Sequence, residues 1–131
     1  MTNKKKNPIR DFYIYLISDS TGTTLQGLSR AVLAQFDDIR PAERFWPMVR
    51  TETQLDRALS DLREHPGPVF FTVMDKKLRK KLESECTKMG IPCMPVLDPM
   101  LRGMSAFLGL NPRGVAGLQH ALDEAYFKRM D

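Results

Sequence analysis

Four short apolar runs divide the chain, and stretches of helical period separate them. The runs are Phe12–Ile17 (FYIYLI), Arg44–Val49 (RFWPMV), Val69–Met74 (VFFTVM) and Ile91–Leu97 (IPCMPVL). Runs that are apolar at successive rather than alternate positions suit strands covered on both faces, as in parallel sheets. Between them lie helical stripes. Leu25, Leu28, Val32 and Phe36 form the first, Leu55, Leu59 and Leu62 the second, and Leu78, Leu82, Cys86 and Met89 the third. Each is wide enough to cover part of a sheet.

Helix boundaries are also written locally. Thr23 with Gln26, and Thr51 with Gln54, have capping-box spacing. Asp75 is a candidate cap for the third helix, and Asp98 followed by Pro99 reads as a cap with a first-turn proline. Gly90 stands where a helix would end in a left-handed residue. The order is therefore β-α-β-α-β-α-β-α, an α/β fold with an open, parallel, four-stranded sheet and right-handed crossovers. The expected strand order is 2-1-3-4, flavodoxin- or Rossmann-like, with helices on both faces. It sends the proline-bearing second and fourth strands to the edges, where a missing N–H is tolerated.

Composition limits what such a chain can do. The 131 residues, 42% hydrophobic and 27% charged, are those of one globular domain. No apolar run approaches the ~20 residues that cross a bilayer, so no membrane partner is expected. The start MTNKKKNP has no secretory h-region, and two cysteines make no disulfide scaffold. A cytoplasmic protein is expected. The net charge of +4 is concentrated at Lys4–Lys6 and at Lys76, Lys77, Arg79, Lys80 and Lys81. No aromatic residue is interleaved with these cations, which argues against nucleic acid as a partner. Residues 1–8 read as a disordered basic tail, 9–113 as the α/β domain, and 114–131 as a helix with Leu118, Leu122 and Ala125 on one side. That helix reaches Asp131 without a cap or breaker, so further sequence is expected beyond it.

The segment most able to carry chemistry is Ser18-Asp19-Ser20-Thr21-Gly22-Thr23-Thr24. It leaves the first strand and opens the first helix, at the switch point of a 2-1-3-4 sheet, where open α/β folds bind ligands. Gly22 permits a tight turn, and freed N–H groups with several hydroxyls could hold a phosphate. Ser18, Asp19, Ser20, Thr21, Gly22 and Thr24 are the ligand-binding candidates. The same residue types also serve as ordinary turns and caps, and the Asp19 charge opposes a bare phosphate. Asp19, Asp75 and Asp98 all fall at strand ends, but two already have capping roles, so no metal site is assigned. No G-x-G-x-x-G or Walker-type loop occurs. Cys86 and Cys93 read as buried packing residues, and Met94, Met100 and Met104 as core. Neither His65 nor His120 has a partner at zinc-ligand spacing. Arg102 and Arg113 flank an apolar, glycine-containing helix and are candidates for partner contact.

Ser18-Asp19-Ser20-Thr21-Gly22 with Thr24, directly after an aromatic strand, resembles the N-terminal signature of the bacterial regulatory proteins of pyruvate, phosphate dikinase and phosphoenolpyruvate synthase. Leu122-Asp123-Glu124-Ala125-Tyr126-Phe127-Lys128-Arg129 resembles the stretch leading into that family's catalytic half, and Arg50-Thr51-Glu52 fits as well. Thr23 departs from the acidic residue of many members. The resemblance implies a bifunctional parent enzyme. It would be an ADP-dependent serine/threonine kinase that inactivates the dikinase or synthase, and a phosphate-dependent phosphorylase that reverses this with release of pyrophosphate. It implies ADP as a ligand, Mg²⁺ as a candidate metal, and either target enzyme or a second copy of the chain as partner. The family's P-loop lies in the other half, so no catalytic residue is expected here and the chain alone is expected to be inactive. It would serve in substrate docking or ligand binding. A flavodoxin-like phosphate-ligand module is the alternative, since Thr21-Gly22-x-Thr24 is similar to a flavodoxin phosphate loop.

Overall fold

The computed structural model describes residues 8–114. Strands β1 (Arg10–Ser18), β2 (Ile39–Trp46), β3 (Val69–Thr72) and β4 (Cys93–Pro95) alternate with helices α1 (Thr23–Leu33), α2 (Glu52–Glu64), α3 (Lys76–Met89) and α4 (Asp98–Leu108). All pairings are parallel, in the order β2-β1-β3-β4. The expected fold class and strand order are both observed. Lys4–Lys6 and most of the 114–131 segment lie outside the described residues.

The second strand differs from its expected position. It begins at Ile39 rather than Arg44 and ends before Pro47. Its opening residues, Ile39-Arg40-Pro41-Ala42-Glu43, are almost all exposed, so they show no apolar run. Pro41 is accommodated because β2 has an open side. After Pro47, Met48 takes a left-handed φ of 59° and breaks the strand. The third and fourth strands are shorter than their apolar runs, and the first is longer.

Two helix starts are also corrected. Thr23 does not cap α1: Gly22 is the N-cap, at φ 84°, with no side-chain cap. Asp98 is the first residue of α4 rather than its cap, and Leu97 precedes it. The Asp98 carboxylate instead pairs with Arg79 of α3. The other boundaries stand as read. Thr51 and Gln54 form a reciprocal capping box, Asp75 accepts from Leu78 N–H, and Gly90 ends α3 left-handed.

The core has two unequal faces. On one, Tyr15, Ile17, Val69 and Phe71 pack against Leu55, Leu59 and Leu62 of α2 and Leu78, Leu82 and Cys86 of α3. On the other, Ile14, Leu16 and Phe70 meet only Leu25 of α1 among fully buried partners. The first helical stripe is therefore less buried than expected, with Val32 and Phe36 exposed. Met94, Met100 and Met104 are exposed rather than core, and Cys93 is half-buried while Cys86 is fully buried. The Cys86 and Cys93 thiols come together where α3 meets β4, and their interaction, with burial, pushes the Cys93 pKa up.

Candidate functional site

The turn after β1 is built from the sheet outward. Ser18, Asp19 and Ser20 are all buried. Ser18 Oγ accepts from Thr72 Oγ1 at 3.0 Å and from Ser20 N–H at 3.1 Å, and lies 3.3 Å from Ser20 Oγ. Asp19 N–H donates to Thr72 O at 3.1 Å, and Asp19 Oδ2 accepts from Met74 N–H at 2.9 Å. Ser18 and Asp19 thus fasten β1 to β3 and the residues that follow it, while Ser20 folds back on Ser18. A carboxylate held by the β3 side opposes an anion less than one pointed at it would.

The β2–α2 loop clasps the same turn from the other side. Met48 N–H donates to Ser20 O at 2.9 Å and Val49 N–H to Ser18 O at 2.8 Å. Arg50 Nε donates to Asp19 O at 2.7 Å, and Arg50 N–H to Gln54 Oε1 at 2.8 Å. Asp19, Arg50 and Asp75, with Val49, Val73, Leu78 and Gly114, line a pocket of about 180 Å³ at the carboxyl ends of β1 and β3. The residues past the first strand therefore lie beside a crevice, as the switch-point reading required.

Thr21, Thr23 and Thr24 face solvent, and Gly22 is buried between them. Thr21 and Thr23 hydroxyls are 3.3 Å apart. Gly22 O accepts from Gln26 N–H, which begins the α1 ladder. Among the four described helices, only α1 opens with neither a side-chain cap nor an acidic residue in its first turn. Its first N–H groups and positive dipole end are thus left unquenched, beside exposed threonine hydroxyls. That arrangement can accept an anion.

Thr72, Met74, Met48 and Val49 join the site only in three dimensions, and Arg50 enters the sequence reading through the family resemblance alone. Thr72 carried a signal, as the one polar residue inside VFFTVM. Met48 carried none, because its role rests on backbone conformation. Arg102 is exposed on α4. Arg113 is exposed next to Gly114 of the pocket. Asp75 is spent on Leu78 N–H and Asp98 on Arg79, so the strand-end aspartates have separate engagements. The basic stretch of α3 is partly neutralised: Lys81 pairs with Glu52 at 2.9 Å and Asp56 at 2.6 Å, and Arg79 with Glu83 at 3.2 Å. His65 closes α2, with its ring 4.9 Å from that of Tyr13. No described helix is long and apolar enough to cross a membrane.

Relatives share this sequence across nearly its full length. A protein of Paramagnetospirillum magneticum is 42% identical over 123 residues, covering 94% of this chain and 40% of its own. One of Nitrobacter winogradskyi is 43% identical, covering 93% and 44%, and one of Hyphomonas neptunium 44% identical, covering 92% and 43%. All three are named as regulatory proteins of pyruvate, phosphate dikinase. The chain spans about two-fifths of the length of these relatives. The family model described as kinase/pyrophosphorylase matches residues 14–131, a span that contains the turn, its clasp and the pocket, and the chain belongs to that family.

Proposed function

We propose that this chain is the N-terminal domain of a bifunctional regulator of pyruvate, phosphate dikinase or phosphoenolpyruvate synthase. In one direction the whole protein moves the terminal phosphoryl group of ADP to a threonine hydroxyl of its target. In the other, inorganic phosphate takes the group back from phosphothreonine and leaves as pyrophosphate. Catalysis resides in the part of the protein beyond this chain, together with any Mg²⁺ that phosphoryl transfer requires. Within residues 1–131, the α1 N-terminus with Thr21, Gly22 and Thr24 receives a phosphate group of the ligand or target.

The observation that supports this role is the uncapped start of α1 at the sheet's switch point, inside the span shared with the family. Two measurements test it. Full-length protein with ADP should inactivate the dikinase or synthase and leave phosphothreonine on it, whereas residues 1–131 alone should transfer nothing. Sustained transfer by the short chain would refute the division of labour. Titrating the short chain with inorganic phosphate should shift the amide resonances of Thr23, Thr24 and Leu25. Unmoved resonances would remove the anion role.

A further inference from the structure

Cys86 and Cys93 approach each other across the turn that follows α3. Gly90, at φ 69°, reverses the chain, and Ile91 N–H closes the turn on Cys86 O at 3.1 Å. Cys93 then opens β4, in register with Val69 of β3. Paired residues of neighbouring strands point to the same face, so Cys93 shares with Val69 the face that α2 and α3 cover. Cys86 is fully buried in that same cluster, and Cys93 packs against it. The two sulfurs differ in access. Cys93 is half-buried and lines a cleft of about 520 Å³ with Arg79, Glu83 and Asp98, whereas Cys86 is enclosed.

We propose that Cys86 and Cys93 are a reversible thiol pair, in which Cys93 takes up an oxidising small-molecule disulfide of the glutathione class and Cys86 resolves it to an intramolecular Cys86–Cys93 bond. Closing that bond asks little of the backbone, because the turn between the two residues is already held by the Cys86–Ile91 hydrogen bond. Among the described residues no third side chain joins the pair in a metal-binding group, which favours sulfur–sulfur chemistry over metal binding. In the first step the Cys93 thiolate attacks one sulfur of the reagent. A mixed disulfide forms, and one small thiolate leaves and is protonated. In the second step the Cys86 thiol gives up its proton and its sulfur attacks Cys93 Sγ. The mixed bond breaks, and the second small thiolate leaves and takes up a proton. Two protein thiols are thus oxidised while one small disulfide is reduced to two thiols. The raised pKa of Cys93 makes the first step slow at neutral pH and faster in mild alkali. The inference does not depend on the anion role of the β1–α1 turn.

The test treats the whole 131-residue chain, reduced and folded, with glutathione disulfide and follows it by mass spectrometry. The product should be a single chain lighter by two hydrogens, with no glutathione retained. Lys88 lies between the two cysteines, so trypsin should release peptides 82–88 and 89–102 joined by a disulfide. A dithiol should restore the starting mass. Cys86→Ala should stop at the mixed disulfide and keep glutathione on Cys93. Cys93→Ala should slow the first uptake about tenfold or more, because only the enclosed sulfur remains. Stable glutathione on Cys93 of the native chain, a bond between two chains, or no reaction until the chain is denatured would each overturn the proposal. So would equal uptake by the two variants.

Discussion

A Cβ on Gly22 would stand 2.4 Å from Cε1 of the Phe45 ring, so the turn that opens α1 is roofed by a side chain of the edge strand. Gly22 also has φ 84°. Gly22→Ala should therefore cost about 1–3 kcal/mol in urea denaturation, from backbone strain and displacement of the ring. Gly67 is tighter still, since its Cβ would lie 2.0 Å from the main-chain oxygen of Tyr13. Gly67→Ala should cost about 3 kcal/mol or more. Adding Phe45→Leu should recover part of the loss for Gly22→Ala and none for Gly67→Ala.

Met48 holds a left-handed φ of 59° while its N–H donates to Ser20 O. Its side chain is exposed. Met48→Gly should raise stability by about 0.5–1 kcal/mol, because a glycine adopts that conformation without strain. A fall in the urea midpoint would show that the exposed methionine stabilises the loop by contact.

Ser18 Oγ accepts two hydrogen bonds inside the core. Ser18→Ala leaves Thr72 Oγ1 and Ser20 N–H without that acceptor, at a cost of about 1–3 kcal/mol. Thr72→Val removes the donor instead, keeps the shape, and should cost less. Equal losses in thermal melts would mean that Ser18 Oγ is not the hub of the turn.

The Tyr15 hydroxyl donates to His65 O at 2.8 Å, with Asp61 O at 3.1 Å. Burial, aided by the Asp61 charge, pushes its pKa from 10.0 up to about 12. A group raised in the folded state contributes stability that is complete below pH 10 and lost as pH climbs toward about 12. The stability of the native chain should therefore fall in that window. Tyr15→Phe should lose about 1–2 kcal/mol at neutral pH and lack this alkaline component. Parallel alkaline limbs for the two proteins would contradict the linkage.

Glu85 joins α3 to α2 through Arg63 at 2.6 Å and also meets Lys88 at 2.9 Å. The Arg63 guanidinium, then Lys88, lowers its pKa from 4.5 to about 2. The stabilisation is present above pH 4.5 and lost as pH falls toward about 2. Glu85→Gln should melt earlier than the native chain at neutral pH, and the gap should close through that acid window. Added salt should narrow it too. A gap independent of pH would assign the effect to packing.

The sheet was legible because its central strands carry unbroken apolar runs, and parallel order follows from alternation with helices. Leu55, Leu59 and Leu62 reported their own burial through period alone. The first half of β2 was not legible, because an exposed edge strand such as Ile39–Glu43 has no reason to be apolar. Thr23 misleads for a related reason: capping-box spacing identifies a donor and an acceptor, whereas the left-handed Gly22 decides where the helix starts. In the turn, sequence located the right residues but not their directions. Ser18 and Ser20 serve the sheet, Thr21 and Thr24 face outward, and only three-dimensional pairing separates the two sets. The role of Met48 could not be read from a side chain, because it lies in a torsion angle.

Ser18 and Thr72 meet at the carboxyl ends of the two central strands, although they are 54 positions apart in the chain. During synthesis the opening strand can join its edge neighbour early, but its other side must stay unsatisfied until β3 has cleared the ribosome. For that interval the most apolar edge of the molecule is a template for any passing strand. Chaperone demand should therefore peak on nascent chains that have released β2 but not yet β3.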